Sequence, residues 1–213
     1  MSPTGVLRPL RGLAVAAVVA ACATPSVPNS DALNQATVLI QHAKGHGTGA
    51  IIGPNQVLTA YHVVAGAPVA VEFFEGPKVG GSVRWYDEAL DVALVEVEVP
   101  QRYKATKLAC QELRAGQHLV AVGHPMRNRW VPRDGRLPRT EEVGGSGLVP
   151  LGFEIGLGTS GAPVFDEAGE VAGIALAILA ERRSASAGYD EYKDTGIGLM
   201  LPATAFCASL HGQ

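Results

Sequence analysis

The chain has 213 residues, 17 Lys+Arg against 20 Asp+Glu, a formal net charge of −3 and three cysteines. Without residues 1–21 it would lose two arginines and no acids, leaving 15 cations against 20 acids and a net charge of −5, which gives no general footprint for nucleic-acid phosphates. No internal repeat, Walker-type loop, cofactor fingerprint or metal-spaced Cys/His cluster is visible, so no cofactor, metal or nucleic acid is expected, and the length suits a single domain.

In chain order, residues 1–21 carry Arg8 and Arg11, then the apolar run Leu13 to Ala20 and small residues, the layout of a secretory signal peptide. The run is shorter than the roughly 20 residues a spanning helix needs. Ala23 to Asp31, with Pro25, Ser26, Pro28, Asn29 and Ser30, reads as a polar tether, assigned to residues 22–35. Short β-branched runs then recur between Gly, Pro and Asn turns, the pattern of an all-β domain. The expected strands are Thr37–Gln41, Gly49–Ile52, Gln56–Thr59, Val69–Phe74, Gly81–Tyr86 and Val92–Val97. A second set follows at Gln117–Val122, Glu141–Gly145, Gly152–Ile155, Ala162–Phe165, Val171–Ala177 and Thr195–Leu201.

Three segments carry chemistry: Leu58-Thr59-Ala60-Tyr61-His62-Val63-Val64, Asp91-Val92-Ala93-Leu94, and Gly158-Thr159-Ser160-Gly161-Ala162-Pro163-Val164. A serine hydroxyl becomes a useful nucleophile at neutral pH when a neutral imidazole takes its proton, and the imidazole needs a carboxylate to fix its tautomer. His62, Asp91 and Ser160 supply those three groups. Singly, each has a plainer reading: a structural histidine, the start of an alternating strand, a glycine-rich turn. Their order together favours the chemical one.

These segments resemble the chymotrypsin-fold serine proteases, closest to the HtrA/Deg protease domain, over about Val38 to Phe206. Gly47-Thr48-Gly49-Ala50-Ile51-Ile52 precedes the histidine segment as in that family, and Gly196-Ile197-Gly198-Leu199-Met200-Leu201-Pro202 follows the serine like its closing strand. The resemblance implies a protease domain over 36–213: two six-stranded antiparallel β-barrels, about 36–108 and 109–201, and a short C-terminal helix at about 202–211. The site would lie in the cleft between the barrels. The implied activity is serine endopeptidase, acting on protein or peptide through an acyl-enzyme without a cofactor. His62 is the implied base, Asp91 its orienter and Ser160 the nucleophile, with the amides of Gly158 and Ser160 forming the oxyanion hole. Ile174, Ala175 and Leu176 would belong to a strand that pairs with an extended substrate. Glu154 would line the primary pocket and favour a basic side chain, the alternative being a solvent-facing strand residue. Thr159, Ala162 and Tyr61 depart from the family's usual residues.

Val19-Ala20-Ala21-Cys22 also resembles the bacterial lipobox, which implies a diacylated, palmitate-bearing lipoprotein anchored at Cys22. Ala23 resembles the pattern for outer-membrane sorting, facing the periplasm. In that compartment Cys110 and Cys207 would either bridge or remain two buried thiols. The chain ends shortly after the closing strand, so a domain without PDZ is expected. Arg127, Arg129, Arg133, Arg136 and Arg139 crowd a proline-containing stretch, read as a solvated loop or a contact for acidic lipid head groups. Two other classes compete. One is a latent or inactive homologue acting as a binding module. The other is an esterase using Ser160, Asp190 or Asp194, and His211, whose G-x-S-x-G motif Ala162 breaks.

Overall fold

The computed structural model describes residues 29–43, 45–66, 68–126, 128–183 and 191–210. Alternation of apolar and polar side chains builds the first half. In β4 (Val69–Phe73), buried Val69, Val71 and Phe73 alternate with half-buried Ala70 and Glu72. β1 (Thr37–His42), β2 (Gly45–Gly53), β3 (Gln56–Ala60), β4, β5 (Lys78–Asp87) and β6 (Val92–Glu96) close into an antiparallel barrel in the order β1-β2-β3-β6-β5-β4. Val38, Ile40, Ile51, Val57, Val71, Phe73 and Val95 fill its interior. Each side chain of that size contributes roughly 1.5–3 kcal/mol by leaving water.

The second half forms a six-stranded sheet from β7 (His118–Gly123), β8 (Val131–Arg136), β9 (Val149–Glu154), β10 (Pro163–Phe165), β11 (Val171–Arg183) and β12 (Glu191–Pro202). Its order is β8-β7-β10-β11-β12-β9, with the edge strands β8 and β9 curled against each other, so it is a barrel one ladder short of closure. One expected strand is corrected. Residues 141–145 form turns, and the sixth strand is β8, inside the arginine-rich stretch read as a loop. The misleading signal was Pro132. A proline is tolerated on an edge strand, and β8 pairs only with β7, Pro132 standing opposite Val122.

A third apolar cluster joins the two barrels. Leu58 and Leu94 from the first barrel meet Phe165, Val171, Ile174 and Leu201 from the second, with Phe206 sealing one end. Two short helices dock on it. α1 (Ser30–Ala36) begins where Asn29 caps the Asp31 amide at 3.0 Å, and it buries Leu33 and Ala36. Much of the stretch assigned to a tether, from Ser30 onward, is therefore part of the folded domain. After a turn at Ala203–Ala205, a second helix (Cys207–Leu210) is tied to the inter-barrel connection by a Cys110–Cys207 disulfide, with Cα atoms 6.0 Å apart. The connection itself bonds both barrels, Thr106 N–H to the Ile51 carbonyl at 2.9 Å and Ala109 N–H to the Val171 carbonyl at 2.9 Å.

Candidate active site

The β3–β6 ladder sets the first half of the site. Ala60 pairs with Val92, so the residues just beyond β3 and just before β6 emerge at the same end of the barrel. There the chain turns through a single helical turn, Tyr61–Val64. Three hydrogen bonds, one from Tyr61 and two from His62, then fasten this segment to Asp91. The Tyr61 N–H reaches the Asp91 carbonyl at 3.1 Å, the His62 N–H reaches Oδ1 at 2.8 Å, and Nδ1 lies 2.6 Å from Oδ2. A carboxylate only accepts, so Nδ1 carries the proton and Nε2 is left as an acceptor. Asp91 adopts φ 55°, a left-handed conformation uncommon for a residue with a side chain and tolerated best by Asn and Asp. The side chains are 48 % and 32 % exposed, so the pair faces an open cleft. Tyr61 stacks on Tyr86 with centroids 4.5 Å apart, a packing role that accounts for a large residue before the histidine.

Ser160 arrives from the second barrel in the turn between β9 and β10. Its carbonyl accepts from the Thr48 N–H at 2.8 Å, which moors it to β2. Gly47 lies between the two halves. A Cβ there would stand 2.6 Å from the Val63 methyls and 3.0 Å from the Ser160 carbonyl oxygen, so glycine lets the serine turn come close to the residue after His62. Among the described residues, no hydrogen bond joins Ser160 to His62, and the N–H groups of Gly158 and Ser160 donate to no protein acceptor. Gly158 takes φ 96°, and a Cβ at that position would collide with the His46 imidazole and the His124 carbonyl. Glycine is therefore required twice over. Thr159 is buried against Gly123, and Ala162 is fully buried in the second barrel's core, which fits the two remaining departures from the family pattern.

Three residues that sequence reasoning missed hold this turn. The Thr48 hydroxyl donates to the Gly158 carbonyl at 2.9 Å, and His124 Nδ1 lies 3.0 Å from the Thr48 hydroxyl oxygen. Because the Thr48 proton is already committed, His124 Nδ1 is the donor. His46 Nε2 in turn donates to the His124 carbonyl at 2.8 Å. Nε2 of His124 is buried with no hydrogen-bond partner, and the ring packs edge-on against Trp130. Burial first, then the electrostatic influence of the nearby His46 and Arg129, push the His124 pKa down to about 3, so the ring is neutral. The available signal was Gly45-His46-Gly47-Thr48-Gly49, whose glycines advertised a close approach without saying to what.

The substrate strand needs correction. Ile174 and Ala175 are fully buried, and Ala175 spends its carbonyl on the Gly161 N–H at 2.7 Å and its N–H on the Ala162 carbonyl at 2.9 Å. Neither can pair with a substrate. Leu176, at a register shift between Ala175 and Ala177, is half-buried against both the first-barrel and inter-barrel clusters, so an open edge starts there. Glu154 sits exposed at the end of β9 opposite Ile197, on a separate cleft of about 470 Å³ shared with Arg133. Of the arginines, Arg129 pairs with Glu72 and Arg136 donates to the Gly116 carbonyl at 2.8 Å, while Arg133 and Arg139 are exposed. Cys22, Arg127, Asp190 and His211 lie outside the described residues. No cluster of three or more His, Cys, Asp or Glu side chains suited to a metal occurs among the described residues.

Residues 47–174 match the model of the trypsin-like peptidase domain. DegP, the periplasmic serine endoprotease of Salmonella typhimurium, is 31 % identical over 169 residues covering 74 % of this chain. The chain spans about a third of that relative, 33 % of its length. The solved structure of Rv3671c from M. tuberculosis, an inactive form, aligns over 87 % of this chain and 89 % of its own with a TM-score of 0.67 and 23 % identity. The HtrA-type protease AlgW, solved with a tripeptide, aligns over 87 % of this chain and 65 % of its own at a TM-score of 0.70 and 23 % identity. The two-barrel chymotrypsin-like fold is thus shared with solved structures, and by the match over more than half its length the chain belongs to the trypsin-like peptidase domain family.

Proposed function

We propose that the chain is a serine endopeptidase of the bacterial cell envelope, with Ser160 as nucleophile, His62 as general base and acid, and Asp91 as orienter. The observation that carries this is the closed His62–Asp91 pair, which leaves the imidazole Nε2 as a proton acceptor at the cleft to which Ser160 is moored. In the reaction, Nε2 takes the Ser160 hydroxyl proton as Oγ attacks the scissile carbonyl. Asp91 stabilises the imidazolium that forms. The oxyanion is received by the N–H groups of Gly158 and Ser160, each worth roughly 3 kcal/mol of barrier lowering. The imidazolium protonates the leaving amine, and water repeats the sequence in reverse to release the acyl group. The acyl side of an extended substrate pairs with the edge that begins at Leu176.

The periplasmic designation of the DegP relative supports the envelope location, and the Val19-Ala20-Ala21-Cys22 sequence supports an acyl anchor at Cys22. Among the described residues no helix is long and apolar enough to cross a membrane, so anchoring in this reading rests on the acyl chains. The test of activity is hydrolysis of internally quenched peptides by the wild type and by Ser160→Ala. Turnover lost in the variant supports the reading, and equal turnover overturns it. Metabolic palmitate labelling that persists in Cys22→Ala would overturn the anchor.

A further inference from the structure

A cleft of about 700 Å³ opens beside the turn that carries Ser160, between the outer face of the first barrel and the loop joining β7 to β8. We infer that this cleft receives the leaving-group side of the substrate and selects a carboxylate there. The inference rests on the endopeptidase reading and names a substrate preference for it.

Strand register builds one wall. Gln41 stands opposite His46 across β1–β2 and opposite Ala70 across β1–β4, while Leu39 stands opposite Glu72, and Glu72 opposite Lys78. Side chains alternate along a strand, so these residues share the face opposite to core-filling Val38, Ile40 and Val71. The result is a strip that begins at His46 and ends at Lys78. The other wall holds His124, Met126 and Arg129.

Position gives the cleft its direction. His46 lines it and also fills the space beside Gly158, so the cleft begins at the candidate oxyanion hole. It contains no residue of β11, whose open edge takes the acyl side. A peptide with its scissile carbonyl at Gly158 and its acyl half along Leu176 must continue away from β11, which leads past His46.

Charge gives it a preference. Among the described residues no carboxylate lines the cleft, and the strongly basic groups that line it are Lys78 and Arg129. The guanidinium of Arg129 is already paired with Glu72, the residue that faces Lys78 across the β4–β5 ladder. Lys78 thereby has no ion-pair or hydrogen-bond partner among the described residues. Met126, 65 % exposed on the facing wall, supplies an apolar contact nearer the hole. A leaving-side segment that places an apolar group by Met126 and a carboxylate by Lys78 satisfies both.

The carboxylate has two sources, an acidic side chain or the peptide's own C-terminus. The test uses quenched peptides with one acyl half and four leaving halves: neutral with an amidated end, glutamate-bearing with an amidated end, neutral with a free carboxylate, and lysine-bearing. The full wild-type chain is expected to cleave a carboxylate-bearing peptide about two- to fivefold faster in kcat/KM than the neutral amide, with the advantage shrinking as salt rises. Gain from glutamate identifies an internal acidic residue, and gain from the free end alone identifies the terminus. Within Lys78→Glu the preference should vanish or reverse. Equal cleavage of all four peptides, or an unchanged preference in Lys78→Glu, overturns the inference. Should the wild type cleave nothing, the endopeptidase reading fails, and the same peptides bound to Ser160→Ala, followed by fluorescence anisotropy, decide the cleft separately. Carboxylate-dependent binding lost on adding Lys78→Glu supports it, and indifferent binding overturns it.

Discussion

Thr48 donates its hydroxyl proton to the carbonyl of Gly158 at 2.9 Å, a hydrogen bond from the first barrel to the turn that presents Ser160 from the second. Thr48 is fully buried, and it also receives the Nδ1 proton of His124. The shape of the candidate oxyanion hole therefore depends on a relay that crosses from one barrel to the other and back.

Thr48→Val keeps the shape of the side chain and removes the relay. It leaves the Gly158 carbonyl and His124 Nδ1 without their partner, costing about 1–3 kcal/mol of stability for the unsatisfied groups. Because Thr48 acts through Gly158, the expected kinetic effect is a fall in kcat of up to about 10²-fold with KM little changed, the scale of weakening one oxyanion donor. Thr48→Ser should restore most of it. A variant that loses stability while keeping kcat would assign Thr48 to packing alone.

His124 makes stability depend on pH in a defined window. Its folded pKa of about 3 lies below the ordinary 6.5, so above pH 6.5 both folded and unfolded chains hold it neutral. As pH falls from about 6.5 toward 3, the unfolded state binds a proton that the folded state refuses. Stability is lost at up to about 1.4 kcal/mol per pH unit for this one site. His124→Asn keeps a donor near Nδ1 without the titration. Thermal melts should fall less steeply between pH 6.5 and 4 in that variant than in the wild type, and parallel slopes would contradict the assignment.

Asp91→Asn should fold normally and lose about 10⁴-fold in kcat, because an amide can donate to Nδ1 and so favours the tautomer with the proton on Nε2. Peptide turnover and a circular-dichroism melt on the same preparation check both halves. A loss below tenfold would leave His62 without an essential orienter.

The Cys110–Cys207 bridge spans 97 residues and ties the C-terminal helix to the connection between barrels. In the chain-entropy account, closing a loop of that length contributes on the order of 4 kcal/mol. Cys110→Ala with Cys207→Ala should lower the melting temperature markedly. Non-reducing mass spectrometry of the wild type should show the mass two hydrogens below that of the free dithiol. Two free thiols in the wild type would contradict the bridge.

Legibility tracked how local each signal was. His62, Asp91 and Ser160 stand in short segments whose neighbours specify strand ends and a tight turn, so the roles proposed for them rest on chemistry and order alone. Most strands showed in period-two alternation, as in Val69 to Phe73. β8 did not, because arginines and Pro132 on an exposed edge carry no apolar alternation. Ser30 to Gln35 looked like tether because the helix Ser30–Ala36 turns only Leu33 and Ala36 to the core, too few to show a helical period. The relay of His46, Thr48 and His124 joins residues 76 to 110 positions apart, and nothing local in the sequence marks them as partners. That Ile174 and Ala175 are closed to a substrate was not legible, since only the register with Gly161 and Ala162 reveals which backbone groups are already spent.

The central claim is that Ser160 is an activated nucleophile, and covalent labelling of the folded chain with a fluorophosphonate probe tests it most directly. Mass spectrometry should find a single adduct on Ser160 in the wild type, and none in His62→Ala. A folded wild-type chain that takes no label, or one that labels equally without His62, would contradict the account.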